Sequence, residues 1–446
     1  MKRLLAPNAP LVAAATVGCA LALVVYGSMA RRNQWIPFRI ASTRGTAGKP
    51  ALPVQPWNHR RQPSRGPSSN GASSDALRAF PYAQGYRPAA QSTGVRLLDA
   101  EHVAEGINLY TSGDAPEATL IDASGAVLHR WSKPIQEVWP DAGRTEPDAT
   151  YSKYWRNAAL VDDGGVVAIF DYIGLVRVDR DSRLVWASRC GCHHDLQLMP
   201  DGSIYALTAA RTTRAVQGAR IPIVEDFITH LTPTGTVIDS LSLPQAIQRS
   251  DYASLWTSAD DEGDVLHTNS LQLLPPALAA GFAPAGSRAA LVSFSAINTI
   301  AVVDLDAGTV VWALSGMFSG QHSVGMLDSG RILLFDNGGN GAAEGSRVIE
   351  IDPRTQRVEW RWSGEGAGGL FSERLGEAQR LANGNTLVVE SVNGRSIEVA
   401  KDGHVVWMFV SPHTAGARNE LVASLFHMHR YEASASILRS LTSSSR

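Results

Sequence analysis

From about Gly94 to the C-terminus, the chain alternates short apolar stretches with turns that contain glycine or aspartate. The clearest unit reads QHSVGMLDSGRILLFDNGG over 321–339, followed by SRVIEIDPRTQRVEWRW over 346–362. Related copies cover 157–186, 293–312 and 376–407, and a half-copy covers 118–131. Strands about ten residues apart with such turns predict an all-β fold. A four-strand unit that recurs every ~40–50 residues is typical of propeller blades.

The number of blades follows from the positions where an innermost strand begins. Six such positions are present, near Arg156, His194, His267, His322, Gly376 and His427. We therefore expect a six-bladed β-propeller. The half-copy at 106–131 should complete the blade begun by the C-terminal strand at 427–440, which closes the ring and removes exposed sheet edges.

The N-terminus predicts a single membrane segment over 1–32. Lys2 and Arg3 precede an uncharged run that ends at Arg31 and Arg32, and its densest apolar part is 11–26. That part is short for a full span and long for a cleavable signal core, so an uncleaved anchor and a cleaved signal both stay open. In either case we expect an extracytoplasmic propeller, either membrane-anchored or exported.

The middle of the chain divides into two further regions. Residues 33–92 are rich in proline, serine and glycine without a hydrophobic period, which predicts a flexible linker. The propeller is expected over 93–446.

Composition excludes one class of partner and limits the cysteine chemistry. The net charge is −2 with neutral histidines, and no long basic run occurs, so we expect no nucleic-acid partner. The three cysteines are Cys19, Cys190 and Cys192, too few for a disulfide framework. The Cys-Gly-Cys stretch could be two small turn residues, a local disulfide or a soft-metal ligand.

Tryptophan recurs at one place in the repeat, at Trp131, Trp186, Trp312, Trp360 and Trp407. An aromatic cage would need such residues to converge on one ligand. We favour the simpler interpretation that each ring packs one blade on the next.

The candidate chemistry lies at the starts of the innermost strands. Counting back eight residues from Gly202, Gly330, Gly164 and Gly384 gives, in turn, His194, His322, Arg156 and Gly376. His267 opens the intervening blade. Because the start of an innermost strand lies at the mouth of the central channel, these side chains should converge on the axis.

Three convergent histidines suit two chemistries. They could bind a metal as a His₃ site, or act as nucleophile and general acid or base around an anion. Strand alternation should turn His193 and Asp195 away from His194, which weakens the metal interpretation. Arg156 favours a sulfuryl or phosphoryl anion.

A set of motifs in fixed order carries a resemblance to a known family. They are GINLYTSGDAPEATLIDASGAVLHRW, HHDLQLMPDG, HTNSL, QHSVGMLDSGRILLFDNG with SRVIEID, and the closing HMHRY. The chain resembles the bacterial arylsulfate sulfotransferases that work without a nucleotide sulfate donor. The resemblance implies a six-bladed propeller that transfers a sulfuryl group from an aryl sulfate ester to a phenol, by a ping-pong route without a metal or organic cofactor.

The resemblance also implies roles for individual residues. The nucleophile falls on His322, which would become a sulfohistidine. His194 or His267 would protonate the departing phenolate, with Asn269 holding the sulfonate oxygens. Glu377 falls near the acceptor.

One departure from the family is clear. An arginine normally follows the His-x-Asn-Ser motif in the next strand, and here VSFSAIN over 292–298 places Ser295 or a neighbour there. A sulfuryl transition state needs donors on its equatorial oxygens. We expect Arg156 to supply them rather than Arg347, whose position in the repeat differs. The alternatives are a non-catalytic propeller that binds a partner or an anionic ligand, and a His-ligated metalloenzyme.

Overall fold

The structure is a computed structural model that describes residues 84–142, 153–216, 219–260, 262–284, 287–338, 345–364 and 369–432. The predicted membrane segment and residues 33–83 of the predicted linker lie outside these ranges. Among the described residues, no helix has the length and apolar character needed to cross a membrane.

The described chain is built almost entirely of antiparallel strands, as the repeat predicted. The strands before the first complete four-strand unit are β1 (Gln84–Pro88), β2 (Gly94–Leu98), β3 (Ile107–Ser112), β4 (Glu117–Ile121) and β5 (Val127–Ser132). Three units then follow in chain order. Sheet 1 contains β6 (Ala158–Leu160), β7 (Val166–Phe170), β8 (Gly174–Val178) and β9 (Leu184–Ser188). Sheet 2 contains β10 (Cys192–Leu198), β11 (Ile204–Val216), β12 (Ala219–Leu231) and β13 (Val237–Ser242), with β14 (Gly263–Asp264) parallel to β12. Sheet 3 contains β15 (Thr268–Leu274), β16 (Ala289–Phe294), β17 (Thr299–Asp304) and β18 (Thr309–Ser315).

Two more units complete the series before the C-terminal strands. Sheet 4 contains β19 (His322–Met326), β20 (Ile332–Asp336), β21 (Arg347–Asp352) and β22 (Arg357–Trp362). Sheet 5 contains β23 (Glu377–Arg380), β24 (Thr386–Glu390), β25 (Arg395–Val399) and β26 (Val405–Val410), with β2 added outside β26. The last strands are β27 (Thr414–Ala415), β28 (Leu421–Ala423) and β29 (Leu425–Tyr431). The helices are short: α1 (Ile135–Val138), α2 (Leu243–Gln248), α3 (Ser254–Thr257), α4 (Pro276–Ala279) and the 3₁₀ turns Ser295–Ile297 and Ser391–Asn393.

The two ends of the described chain meet in sheet 6. Its strand order is β29-β3-β4-β5, so the C-terminal strand pairs with the N-terminal half-copy. The register runs from Leu425 opposite Ser112 to Tyr431 opposite Ile107. The pairing that the sequence predicted is therefore present.

The predicted linker extends too far toward the propeller. Residues 84–88 form β1, which pairs with β28 in a small three-stranded sheet that also contains β27. Arg87 Nε also donates to Asn393 Oδ1 at 3.2 Å. The predicted linker therefore ends before Gln84, because the backbone of residues 84–88 pairs with β28.

Side chains join neighbouring innermost strands where the backbones do not pair. Four of them accept a backbone N–H from the next strand: Asp195 from Leu271 (2.9 Å), Ser270 from Val324 (3.1 Å), Ser323 from Ala378 (3.2 Å) and Glu377 from Met428 (3.0 Å). A second layer repeats the arrangement with glutamine: Gln197 to Leu273 (2.7 Å), Gln272 to Met326 (2.5 Å) and Gln379 to Arg430 (2.8 Å). These bonds satisfy N–H groups that would otherwise be buried without a partner. They also bring the innermost strands of sheets 2 to 6 side by side.

The recurrent tryptophans lie between sheets. Trp131 Nε1 donates to the Gly164 carbonyl at 3.1 Å, and Trp407 Nε1 donates to the Ala123 carbonyl at 2.8 Å. Each contact links one sheet to a turn of the next. The Trp186 ring lies so close to Gly235 that a Cβ there would be 2.6 Å from it. The packing interpretation is confirmed for these rings.

Candidate functional site

A cavity of about 320 Å³ lies among the innermost strands. Five of the six predicted site residues line it: Arg156, His194, Asn269, His322 and Glu377. The sixth, His267, lies outside the lining, with its ring centroid 4.9 Å from that of His194. The polar side chains that share the eight-residue register, Arg156, His194 and His322, therefore line one cavity.

His322, the first residue of β19, has a fixed tautomer. Its Nδ1 lies 2.8 Å from the Gly320 carbonyl oxygen and 2.9 Å from Asn337 Oδ1. Since both partners are acceptors, Nδ1 carries the proton and Nε2 carries the lone pair. Burial lowers the pKa of His322 to about 3, so the ring is neutral at physiological pH. Nε2 is thus available as a nucleophile.

Asn337 owes its orientation to two backbone groups. Its Nδ2 donates to the carbonyls of Ser372 and Leu375, each at 2.7 Å, so Oδ1 faces His322. Such a partner selects the tautomer and the ring orientation of a functional histidine. Sequence reasoning missed Asn337, because the FDNG stretch has the composition of an ordinary turn.

His193 and His194 are brought together by irregular backbone. His194 has φ 54°, and the β10–β11 register shifts between Cys192 and Leu196. The two Nδ1 atoms lie 2.8 Å apart, and the His193 ring stacks on Tyr172 with a centroid distance of 4.9 Å. Burial lowers the pKa of His193 to about 4 and lowers that of His194 well below its ordinary value, so both rings are neutral.

The expectation that Asp195 turns away from the site is wrong. Asp195 lines the cavity together with His194. The shift in β10 interrupts the two-residue alternation on which the expectation rested. Burial raises the pKa of Asp195 to about 6.

His267 differs from the other two histidines in charge. Its Nδ1 lies 2.5 Å from Asp264 Oδ2, and its backbone N–H donates to Asp264 Oδ1 at 3.1 Å. Burial lowers the pKa of His267, but the Asp264 carboxylate outweighs burial and raises it overall. Asp264 therefore favours the protonated form of His267, whose ring centroid lies 4.9 Å from that of the neutral His194.

Arg156 reaches the cavity from sheet 1. Its guanidinium lies 5.0 Å from the centroid of the Phe426 ring, and its Nε lies 4.0 Å from Asp171 Oδ2. After burial, its positive charge is a further cause of the low pKa of His194 and of His322. Arg156 is therefore near both rings.

Neither Ser295, at the family's usual arginine position, nor Arg347 brings a guanidinium to the cavity. Ser295 is buried and donates from Oγ to the His267 carbonyl at 2.9 Å. Arg347 pairs with Asp336 at 2.8 Å and is absent from the cavity lining. Among these residues, only Arg156 brings a guanidinium to the cavity.

Asn269 offers both kinds of hydrogen-bonding group. Its Nδ2 donates to the Gln321 carbonyl at 2.9 Å, which leaves one N–H unassigned. Its buried Oδ1 has no hydrogen-bond partner within the described ranges. Asn269 can thus donate to an anion or accept from a hydroxyl in the cavity.

Glu377 forms an ion pair with His427, of which the sequence predicted only Glu377 as a site residue. Its Oε1 lies 3.0 Å from His427 Nδ1, and both residues line the cavity. Burial opposes both charges, but each partner outweighs it: the pKa of His427 is raised and that of Glu377 is lowered. His427 had been recognised as a strand start, and that shared position is the signal that could have assigned it to the site.

The Cys-Gly-Cys stretch precedes the histidine pair. Cys190 and Cys192 form a disulfide with a Cα–Cα distance of 5.3 Å. Of the three interpretations left open by the sequence, the local disulfide is the one present.

Comparisons with known proteins add the family. Solved structures with a similar chain path include a protein of unknown function from Bacteroides caccae (TM-score 0.43, 13% identity, 69% of this chain and 94% of that chain). A streptogramin B lyase has a TM-score of 0.41 and 11% identity, covering 78% of this chain and 95% of that chain. The Cps50 (Swd1) β-propeller domain of Myceliophteria thermophila has a TM-score of 0.40 and 12% identity, covering 74% and 90%.

These structural likenesses are too weak to indicate function, and no curated protein matches the chain in sequence. A family profile, described as arylsulfotransferase (ASST), matches residues 158–412. The match covers more than half of the 446 residues. It includes the strand starts at His194, His267 and His322. The chain therefore belongs to the arylsulfotransferase (ASST) family.

Proposed function

We propose that this protein transfers a sulfuryl group from an aryl sulfate ester to a phenolic acceptor, through a sulfohistidine at Nε2 of His322. The observation that carries the proposal is the fixed tautomer of His322, whose Nδ1–H is held by the Gly320 carbonyl and Asn337 Oδ1. A neutral imidazole with its lone pair toward a cavity is the form that can attack sulfur.

The transfer takes place in two balanced halves. In the first, Nε2 of His322 forms a bond to sulfur, the bond from sulfur to the aryl oxygen breaks, and the electron pair leaves with the phenolate. In the second, the acceptor oxygen attacks sulfur, and the N–S bond breaks to restore the lone pair on Nε2. No redox change occurs in either half.

Arg156 and Asn269 are proposed to hold the sulfonate oxygens. The Arg156 guanidinium supplies charge-assisted donors, and Asn269 supplies an amide N–H. The positive charge of His267, behind His194, favours the same anion. Removing one such donor from an oxyanion site usually lowers turnover about 10²–10³-fold.

The six sheets are proposed to be the six blades of one closed propeller with the cavity on its axis. The side-chain bonds between successive innermost strands and the pairing of β29 with β3 support this arrangement. In this arrangement the cavity lies on the axis, where the polar residues at the strand starts converge.

We further propose that the propeller works outside the cytoplasm, anchored or released by the segment 1–32. The Cys190–Cys192 disulfide supports an oxidising compartment. Protease treatment of intact cells should digest the propeller if it remains anchored and outward-facing. If it has been released, the propeller should be found in the extracytoplasmic fraction instead.

Intact-mass spectrometry after brief exposure to p-nitrophenyl sulfate tests the covalent intermediate. The parent should gain the mass of one sulfuryl group, and His322→Gln should gain none. His102→Gln is the control, because His102 is exposed and lies outside the cavity lining. An unmodified parent, or a modified His322→Gln, would contradict the proposal.

The missing family arginine favours one alternative, a non-catalytic propeller that binds an anion in the same cavity. Calorimetry would then show aryl sulfate binding without turnover or a mass change. For the metalloenzyme alternative, no group of three or more His, Cys, Asp or Glu residues among the described positions is arranged to hold a metal ion.

A further inference from the structure

The sulfuryl transfer proposed above leaves one charged pair in the cavity without a role. Glu377 begins β23 and His427 lies near the start of β29, so the pair bridges sheets 5 and 6. Oε1 of Glu377 engages Nδ1 of His427 at 3.0 Å, and Oε2 accepts the Met428 backbone N–H at 3.0 Å. The carboxylate is thus attached both to the imidazole and to the strand that carries it.

The reaction needs a proton carrier that the other histidines do not supply. His322 must keep its Nδ1 proton, and His194 is neutral. His267 is charged but lies outside the cavity lining. His427 lines the cavity, and its Nδ1 is engaged by Glu377. Nε2 is therefore the ring nitrogen that can exchange a proton with a ligand.

We propose that His427 is the general acid and base of the transfer, with Glu377 as its positioning residue. This inference rests on the proposed function. As the S–O bond to the aryl group breaks, Nε2–H of His427 protonates the departing phenolate. In the second half, Nε2 takes the proton of the acceptor phenol while its oxygen attacks sulfur.

Arg156 lies in the same cavity as the proposed nucleophile, His322, and the proposed proton carrier, His427. The Arg156 guanidinium lies 5.0 Å from the ring centroid of Phe426, the residue that precedes His427. Arg156 therefore lies near the nucleophile and near the proton carrier. A sulfuryl ester held by Arg156 would therefore share the cavity with both His322 and His427.

His429 provides an internal comparison. It lies two residues further along the same strand and lines the same cavity, and its ring centroid is 6.2 Å from that of His427. The hydrogen-bond partner of its Nε2 is the Gln379 amide nitrogen, at 3.2 Å, rather than a carboxylate. Burial lowers its pKa to about 4, so it does not hold a proton to donate near neutral pH.

The test compares two donors that differ only in how much their leaving group needs a proton. p-Nitrophenolate is a stable leaving group, whereas phenolate from phenyl sulfate is a poor one. General acid catalysis contributes about 10²–10⁴-fold. We therefore expect His427→Gln to lower kcat for phenyl sulfate at least about 100-fold more than kcat for p-nitrophenyl sulfate. Glu377→Gln should show the same preference to a smaller extent, and His429→Gln should affect both donors equally.

Covalent labelling separates this inference from the proposed function. His427→Gln should still form the sulfuryl adduct with p-nitrophenyl sulfate, which also shows that the variant is folded. Equal losses on both donors, with the adduct retained, would overturn the role of His427 alone. An unmodified parent would instead overturn the sulfohistidine route. If His427→Gln does not fold, Glu377→Gln carries the same comparison, and equal losses there would likewise overturn the inference.

Discussion

Residues with positive φ occur at both ends of the innermost strands, but the residue types at the two ends differ. The turns that follow these strands have glycine at positive φ: 86° at Gly164, 82° at Gly202, 76° at Gly330 and 91° at Gly384. Three residues at the strand starts also enter this region, but with side chains: 54° at His194, 46° at His267 and 51° at Ser323. Glycine adopts such angles readily, whereas a residue with a Cβ pays about 1–2 kcal/mol.

The comparison extends to hydrogen bonding. At the strand starts several buried polar atoms have no partner within the described residues: His193 Nε2, Thr268 Oγ1, Asn269 Oδ1 and Gln321 Oε1. The tryptophans between the sheets contrast with these atoms, because Trp131 and Trp407 donate to a backbone carbonyl. Strained backbone and unsatisfied polar atoms thus occur together at these strand starts.

The largest effect should come from Arg156, the strand start that lies eight residues before Gly164. Arg156→Ala should lower kcat/KM for p-nitrophenyl sulfate about 10²–10³-fold, because the sulfonate loses its charge-assisted donors. Arg156→Lys should recover little, since a point charge cannot reproduce the planar fork.

Arg288→Ala is the matched control for this prediction. Its side chain is 49% exposed and pairs with Asp306, away from the cavity lining. Should Arg156→Ala turn over as fast as Arg288→Ala, Arg156 does not take the oxyanion role.

Replacing Asn337 tests whether the activity of His322 depends on the residue that orients its ring. Asn337→Ala removes one of the two acceptors of the His322 Nδ1 proton, leaving only the Gly320 carbonyl. Comparable orienting partners of functional histidines contribute about 10–100-fold, so kcat should fall by a factor in that range. Steady-state kinetics would measure it, and an unchanged kcat with an unchanged melting temperature would count against the tautomer argument.

The buried histidines should also make stability depend on pH, which the glycine turns cannot do. The pKa of His322 is about 3 in the folded protein, against an ordinary value of 6.5. Its contribution to stability is fully present above the ordinary value. As the pH falls below that value, the unfolded chain takes up a proton that the folded ring refuses, and the contribution is lost.

Replacing this one group isolates its contribution. Between pH 7 and pH 5, His322→Gln should lose about 2 kcal/mol less unfolding free energy than the parent, at roughly 1.4 kcal/mol per pH unit below the ordinary value. Urea unfolding at both pH values would measure the difference. Parallel losses in the two proteins would show that His322 is not buried in its neutral form.

The smallest effect is expected from replacing a glycine in the turn that follows an innermost strand. A Cβ added at Gly384 meets no atom within 4 Å, so Gly384→Ala carries only the backbone cost of φ 91°. We expect a loss of about 1–2 kcal/mol in unfolding free energy with kcat unchanged. Gly281→Ala is the control, because Gly281 lies outside the left-handed region and its added Cβ makes only an ordinary contact at 3.5 Å. Equal stability of the two variants would contradict the assigned backbone cost.

Much of the candidate site was predictable from spacing. The eight-residue register located Arg156, His194 and His322, and the family resemblance placed Glu377 next to Gly376. Asp195 was misplaced because a local register shift in β10 leaves no mark in the alternation of residues. Asn337 was missed because it acts through a hydrogen bond to the ring of His322, 15 residues earlier in the chain. Asp264 was missed although it lies only three residues before His267, because it does not share the eight-residue register.

The sequence by itself determined the strands, the glycine turns, the packing tryptophans and the polar strand starts, because each follows from local alternation and backbone preference. Only the tertiary structure decided which histidines have a lowered pKa and which have a raised one. Those properties depend on burial and on the partner that the fold brings to each ring: Asn337 for His322, Asp264 for His267 and Glu377 for His427. A pKa is set by the surroundings of a group in space, and the order of residues does not contain that information until the sheets have assembled.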